Sequence, residues 1–473
     1  MSPVKPVSIT KDPIPRVLFQ LVMPAFIAQL VFVAFNLSNT YFVGQLGTDE
    51  LAVLGFTGTL GFFIQVLLMG IGNGTAVLIA HAIGRGEGNI VEKLLTSCML
   101  LSAIIFILLC SLILLFDNTI FTWQGVEPEL QPMMASYMRI WVVGNFFWLV
   151  PMVGNNAIRA TGDSHTASKY TIIMVAINMV LDPFLILGWG PFPAMGINGA
   201  AITSLIARLV VAVLMVIVLA KNFRMLTFQL PEWKLVWQTW HQVLKISIPI
   251  SLTKSIMPLS IGYITSLVAL TGTEAVAARS LTGKLQSIAM SMIQAIIVVL
   301  PGFIGQNLGA GKIKRAQKAM HMIEVFIMSW GLLMWGLLSL IGPFFVGLFT
   351  DDPLVFDFTL LWVGIVPPFL GFLAMVLVGS NALNVLKKPQ RATVIYLIRM
   401  LALNVPLAYV FYANDGLRGI FWARAISIIA SGTITFFWLE SSFKQMKQEA
   451  AAEKFSEIAN PAPVDASPCK TPH

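Results

Sequence analysis

Charged residues are scarce in this chain of 473 residues, since only 11% are Asp, Glu, Lys or Arg while 57% are hydrophobic. A soluble domain carries about a quarter charged residues, so the composition indicates a polytopic membrane protein. Cysteine is also rare. The three cysteines, Cys98, Cys110 and Cys469, have neither a metal-ligand spacing nor a disulfide framework. The net charge of +8 is explained by the positive-inside rule, and we expect no nucleic-acid partner.

Two catalytic signatures are missing as well. The chain has no Gly-rich Lys loop of the ATP-binding type, and none of its five histidines stands four residues from another. We therefore expect neither direct ATP use nor metal-dependent intramembrane catalysis, no cofactor, and a protein that is not an enzyme. Secondary active transport is the first hypothesis, and an ion channel or a membrane-embedded enzyme is the alternative class.

Long apolar runs predict an all-α protein with twelve transmembrane helices, because each run is close to or above the ~20 residues that cross a bilayer. The predicted segments are residues 17–40, 51–80, 94–116, 137–158, 170–187, 198–220, 246–270, 276–305, 319–349, 358–384, 392–412 and 417–439. Most lysines and arginines lie in segments predicted on the same side of the membrane as the N-terminus. We therefore expect both termini in the cytoplasm and the protein in the inner membrane.

The two halves of the chain repeat each other at a shift of 225 residues. The shift aligns Pro24 with Pro249, Gly47 with Gly272, Ala52 with Ala277, Thr57 with Thr282, Gly84 with Gly309, Gly86 with Gly311, Gly154 with Gly379 and Asn156 with Asn381. With a small slip, Gly199 aligns with Gly419. Because each half has six crossings, the halves have the same orientation, and parallel repeats of this kind bind substrate at their interface.

This repeat predicts two six-helix lobes. We expect a cytoplasmic N-terminal segment at residues 1–16, an N-lobe at 17–220, a cytoplasmic connection at 221–245, a C-lobe at 246–440 and a disordered cytoplasmic tail at 441–473. The connection contains Trp233, Trp237 and Trp240, which is typical of a helix at the membrane surface.

One acidic residue stands deep in an apolar run of the N-terminal half. Asp182 lies in the segment Asn178-Met179-Val180-Leu181-Asp182-Pro183, and Asn178 precedes it by one helical turn. Pro183 removes a backbone donor and frees a carbonyl one turn back. A carboxylate in hydrocarbon costs several kcal/mol unless it is paired, hydrated or protonated, so we predict that Asp182 holds a proton or a small cation.

Several motifs together resemble the multidrug and toxic compound extrusion (MATE) family, and more its DinF-like bacterial branch. They are Pro24, the segments 36–39, 43–47, 84–86 and 158–163, and the segment of Asp182. The resemblance covers about residues 15–440 and implies a V-shaped pair of six-helix lobes. It implies export by alternating access, driven by inward movement of protons or sodium ions.

The resemblance also implies an ion-coupling site, which falls on Asn39, Asn155, Asn178, Asp182 and Thr203. Many relatives have an acid where this chain has Asn39, so the site would hold one carboxylate. We therefore expect the proton as coupling ion rather than sodium, with Asp182 and Asn178 as the possible sodium ligands. We expect the amides to hydrogen-bond to Asp182, and Asn36 to contact the substrate.

The C-terminal half has cations deep in its apolar segments, each about eight residues in and therefore roughly 12 Å along a helix. These residues are Lys254, Lys284, Arg399 and Arg424. Intramembrane cations face the bundle interior and need a partner, unless their long side chains reach the surface. If these cations face the interior, we expect them to bind an anionic or zwitterionic substrate. We expect a small amphipathic drug or metabolite as the substrate, contact with membrane lipid, and a monomeric protein. The alternative function is a flippase for a lipid-linked substrate or an exporter of an anionic metabolite.

Overall fold

The computed structural model describes the backbone of residues 8–459, except residues 125, 228, 230 and 348–351. All regular structure in these ranges is helical. The N-terminal half contains α1 Ile14–Gly44, α2 Thr48–Gly84, α3 Val91–Leu115, α4 Asp117–Trp123, α5 Gln131–Thr161, α6 Ser164–Leu187 and α7 Gly196–Ile217. The C-terminal half contains α8 Trp233–Ala269, α9 Thr273–Gly309, α10 Ile313–Gly347, α11 Pro353–Ile365, α12 Leu370–Val385, α13 Pro389–Leu397 and α14 Val405–Ala459.

Twelve helical segments are long enough to cross a membrane, as the sequence predicted. Eleven continuous stretches of the described chain have the required length and hydropathy. The last of them, Pro389–Ala452, makes two crossings, because the backbone of Asp415 and Gly416 is not helical and reverses the chain there. The tenth crossing consists of α11 and α12, which join at a 3-10 turn over Pro367–Phe369.

Two predicted boundaries differ from the structure. The connection 221–245 does not form a separate surface helix, because α8 begins at Trp233 and continues unbroken into the seventh crossing. Its Trp240 donates a hydrogen bond of 2.9 Å to the Ser97 carbonyl of α3, which ties this part of α8 to the N-lobe. We expected disorder from residue 441, but α14 remains helical to Ala459, and residues 460–473 lie outside the described ranges.

The two lobes meet along α1, α2, α8 and α9. We call the face of the molecule at which α1 begins the terminal face; α2 and α9 both end there. The ends of α2 and α9 cross at Gly84 and Gly309, where a Cβ on Gly84 would lie 2.9 Å from the Gly309 Cα. Only glycine permits this approach, and small residues at helix crossings are typical of membrane bundles.

A symmetric pair of hydrogen bonds joins the lobes beside this crossing. His81 donates from Nε2 to the Val385 carbonyl at 3.0 Å, and Gln306 donates from Nε2 to the Ala160 carbonyl at 2.6 Å. Gln306 follows His81 by 225 residues, and Val385 follows Ala160 by the same number. The sequence repeat is therefore a two-fold structural repeat, and we call these two hydrogen bonds the inter-lobe latch.

The N-terminal segment adds a further closure of the terminal face. Lys312 and Arg315 of the C-lobe donate to the carbonyls of Thr10, Ile9 and Asp12. The same segment reaches the N-lobe, because a Cβ on Gly162 would lie 2.4 Å from Ile9 Cδ1. The structure thus shows the lobes joined at the terminal face.

Candidate functional site

The carboxylate predicted to couple an ion lies near the end of α6, where α7 packs against it. Gly199 sets this packing, because a Cβ there would lie only 2.2 Å from the Leu185 carbonyl oxygen. One helical turn further along α7, Thr203 stands on the same face as Gly199 and meets Asp182. The close approach at the glycine therefore brings a hydroxyl to the acid.

Asp182 is 1% exposed and accepts one hydrogen bond, from Thr203 Oγ1 to Oδ1 at 2.6 Å. Its second oxygen, Oδ2, is buried and has no hydrogen-bond partner among the described residues. Ser204, which follows Thr203 on α7, makes an equivalent hydrogen bond one turn before Asp182 on α6. Its Oγ donates to Asn178 Oδ1 at 3.2 Å. Two successive hydroxyls of α7 thus hold the acid and the amide of α6.

The structure separates the predicted amides from Asp182. Asn178 donates to the Met174 carbonyl of its own helix at 2.8 Å, and Asn155 donates to Thr171 at 3.4 Å. Thr171 and Asp182 are about 16 Å apart along α6 at ~1.5 Å per residue, so Asn155 does not belong to this site. We expected these amides and Asn39 to donate to the acid, and none of them does in the described part of the chain.

Two further positions belong to the segment of α1 that the sequence singled out. Asn39 is half-buried, and its Oδ1 has no hydrogen-bond partner in the described chain. Asn36 is exposed and donates to the Phe32 carbonyl one turn back at 2.9 Å. Asn36 therefore lies on the accessible side of α1.

The N-lobe site can hold a proton. One carboxylate oxygen is already bonded to a hydroxyl, and the other is buried without a partner, so a proton on Oδ2 would remove a costly buried charge. A sodium ion would need several oxygens, and among the described contacts only Thr203 brings one to Asp182. The donor set therefore favours a proton over sodium.

A cavity of about 410 Å³ lies in the C-lobe between α8, α9 and the last two crossings. Three arginines line it, Arg279 from α9, Arg399 from the π-helical turn between α13 and α14, and Arg424 from α14. The other polar side chains of the lining are neutral: Thr265, Ser280, Thr282, Gln286, Asn404 and Ser427. No acidic side chain is among the described residues that line it.

The three guanidinium groups find only neutral partners in the described chain. Arg279 donates to Thr265 Oγ1 at 2.9 Å, and Arg424 donates to Gln286 Oε1. Arg399 is 8% exposed; its Nη1 has no hydrogen-bond partner, and its guanidinium lies 6.0 Å from the ring centroid of Tyr396. Three positive charges share one cavity without a described carboxylate to balance them. Such a site attracts an anion.

The structure divides the predicted cations into two groups. Arg399 and Arg424 line the cavity, whereas Lys254 and Lys284 do not, and Lys284 is exposed. Helix geometry explains the difference, because Arg279, Gly283 and Gln286 are spaced by four and three residues and share one face of α9. Lys284 directly follows Gly283 and is turned about 100° away from that face.

Sequence reasoning missed two arginines. They are Arg279, near the start of α9, and Arg208 in the sixth crossing. Arg208 lies beside Gly144 of α5, and its Nη1 is buried with no hydrogen-bond partner in the described chain. The signal used for the C-terminal half, a cation deep in an apolar run, would have found Arg208.

The two lobes share a glycine contact but differ in the side chain that follows it. Gly199 corresponds to Gly419, and each packs on a carbonyl of the preceding helix segment, at Leu185 and Phe411. The same shift of 220 residues places Arg424 in the C-lobe where Ser204 stands in the N-lobe. At this position of the repeat the N-lobe thus has a neutral hydroxyl, whereas the C-lobe has an arginine that lines the cavity.

Comparison with known proteins agrees with this architecture. The family model MatE matches residues 24–184 and 249–410, one match in each half. A FAD transporter of Shewanella oneidensis is 31% identical over 439 residues, covering 93% of this chain and 97% of that protein. A probable multidrug resistance protein NorM of Thermotoga maritima is 23% identical over 467 residues, covering 95% of this chain and 97% of that protein.

Solved structures share the fold. The Vibrio cholerae MATE transporter VcmN in its bent form has a TM-score of 0.86 at 24% identity, covering 91% of this chain and 97% of that one. A MOP superfamily transporter from Pyrococcus furiosus has a TM-score of 0.86 at 20% identity, covering 94% of this chain and 100% of that one. The matches in both halves and the identity to a full-length relative show that this chain is a bacterial member of the MATE family of efflux transporters, and not an enzyme.

Proposed function

We propose that the protein exports an organic anion in exchange for protons. The observation that carries the proposal is the cavity lined by Arg279, Arg399 and Arg424 without a described acidic neighbour. A guanidinium binds carboxylate or phosphate through two parallel hydrogen bonds. A cationic drug would meet only repulsion at this cavity, whereas an anion would supply the missing charge.

The likeness to the FAD transporter of Shewanella oneidensis supports a more specific substrate class. FAD carries a pyrophosphate and two aromatic ring systems. A cavity of about 410 Å³ falls within the ~300–1,000 Å³ of small-molecule sites. We propose a phosphate-bearing aromatic anion such as a flavin nucleotide, whose phosphates bind the arginines and whose rings contact the apolar part of the lining, such as Met257 and Phe421.

Asp182 couples this export to proton entry. Its protonation removes a buried negative charge from the α6–α7 contact and changes the relative free energy of the two conformations of the transporter. The inter-lobe latch closes the terminal face, which we assign to the cytoplasm of the cell on the basis of its lysines and arginines. In this conformation the proton enters from the opposite side, and the substrate leaves there.

The test is transport in proteoliposomes with proton and sodium gradients imposed separately. We expect a pH gradient to drive uptake of FAD or FMN at constant sodium, and Asp182→Asn to abolish it while the protein stays in the membrane. Sodium-driven transport that ignores the pH gradient would contradict the proton assignment. Normal transport by Asp182→Asn would contradict the role of the carboxylate.

The anion assignment has its own test with a matched control. A hydrogen bond to a charged group contributes about 1.5–3 kcal/mol, so Arg424→Gln should weaken anion transport by roughly 10- to 100-fold. Lys284→Gln removes an exposed cation from the same lobe and should have little effect. Arg424→Gln should leave a monovalent cationic dye unaffected. Equal loss for anion and dye, or no loss for either, would contradict the proposal.

A further inference from the structure

A second polar cluster lies in the C-lobe, on the half toward the terminal face, and the transport mechanism above does not use it. It consists of His321 and Glu324 of α10 and Glu440 of α14. One ligand atom from each of these side chains lies within 4.8 Å of the others. Glu324 is more than nine-tenths buried, at 7% exposure, and its Oε1 has no hydrogen-bond partner in the described chain.

The contacts within the cluster fix the orientation of the imidazole. His321 Nδ1 lies 3.1 Å from Glu324 Oε2 in a hydrogen bond. A carboxylate only accepts, so Nδ1 carries the proton, and in the neutral ring Nε2 keeps its lone pair. Nε2 lies 3.4 Å from Glu440 Oε1, which is also buried and has no hydrogen-bond partner among the described residues. In the neutral ring the lone pair of Nε2 therefore faces Glu440 Oε1, whereas in the protonated ring the same contact is an ion pair.

The separation of 3.4 Å between Nε2 and Oε1 matches that of two ligands of one metal ion. Ligands bound at about 2.0–2.2 Å in tetrahedral geometry lie roughly 3.3–3.5 Å apart. A metal-ligating histidine almost always donates its other ring N–H to a carboxylate, carbonyl or water, which fixes its orientation. His321 has this partner in Glu324, and imidazole with carboxylate suits divalent transition metals.

We propose that His321 Nε2 and Glu440 Oε1 bind a divalent transition-metal ion, and that Glu324 positions the imidazole by accepting from its Nδ1–H. The His321 side chain is 46% exposed, so water can complete the coordination. Gln317 donates to Glu440 Oε2 at 3.0 Å and accepts from Lys447, which holds the glutamate toward α10. The bound ion joins α10 to α14. This site is independent of the proposed substrate and coupling ion.

The test uses the purified full-length protein, freed of metal with a chelator, in a Cys469→Ser background that removes a tail thiol. Titration with Zn²⁺ at pH 7.5, followed by calorimetry and by the melting temperature, should give one binding equivalent that raises the melting temperature. His321→Ala and Glu440→Gln should each remove that equivalent or weaken it at least tenfold. Glu324→Gln should weaken it 10- to 100-fold.

His165→Ala is the matched control, because it removes an exposed histidine of the N-lobe. It should leave the binding equivalent unchanged. Glu440→Gln keeps a side chain that can bond to Gln317, so it tests the ligand role even where His321→Ala fails to fold. The proposal is overturned if Zn²⁺ binds equally to the His321→Ala and unmodified proteins, or does not bind at all. It is also overturned if only pH, and not Zn²⁺, changes the melting temperature through His321.

Discussion

The inter-lobe latch should set the balance between the closed and open forms of the terminal face. His81→Ala and Gln306→Ala each remove one hydrogen bond between the lobes. A hydrogen bond contributes a net ~0.5–1.5 kcal/mol, so each variant should shift the equilibrium about fivefold. The double variant should shift it by about 2 kcal/mol, which is roughly 30-fold toward the open terminal face.

Spin labels on exposed residues of the two lobes measure this balance. Cysteines at Asn89 and Lys314, in a background without the native cysteines, report the distance across the terminal face by electron spin resonance. The short-distance population should fall in the order unmodified, single and double variants. His81→Gln should restore it, because glutamine is the residue that the repeat uses at the corresponding position, Gln306.

The matched control is Asn307→Ala. Asn307 is buried beside Gln306, but its side chain donates to the Phe303 carbonyl of its own helix at 2.8 Å and does not cross between the lobes. This variant should leave the distance distribution unchanged. An unchanged distribution in the double latch variant, or an equal change in Asn307→Ala, would refute the reasoning.

Three further predictions concern the N-lobe. Gly199→Leu should lower the melting temperature and abolish coupled transport, because a Cβ there would lie 2.2 Å from the Leu185 carbonyl oxygen. Gly58→Leu is the control and should do neither, because a Cβ at Gly58 would meet open space. Equal stability of the two variants would contradict the packing argument. Ser204→Ala should lower the free energy of unfolding by about 1 kcal/mol, measured by denaturant titration, since it removes the hydrogen bond to Asn178. Asn39→Asp should strengthen sodium dependence at fixed pH by adding a second carboxylate to the lobe, and an unchanged response to sodium would exclude Asn39 from the ion site.

The sequence alone determined the class, the number of crossings, the repeat and the position of a buried acid. Each apolar run must satisfy its own backbone in lipid, so its length predicts a helix without knowledge of its neighbours. The repeat was visible because glycines at helix crossings, such as Gly84 and Gly309, tolerate no other side chain. Asp182 was identifiable because a lone acid in hydrocarbon has a cost that sequence position reveals.

Only the tertiary structure decided which side chains meet. Asn155 matched the expected motif, yet it bonds to Thr171 about three turns from Asp182, while Ser204 was not expected and holds Asn178. The register between α6 and α7 depends on the contact of Gly199 with Leu185, which the pattern of apolar runs does not reveal. In the same way, the rotation of α9 about its axis places Arg279 in the cavity and Lys284 outside it. The depth of a residue along a helix can be read from the sequence. The face of the helix that a neighbour covers depends on packing between segments, so only the tertiary structure shows it.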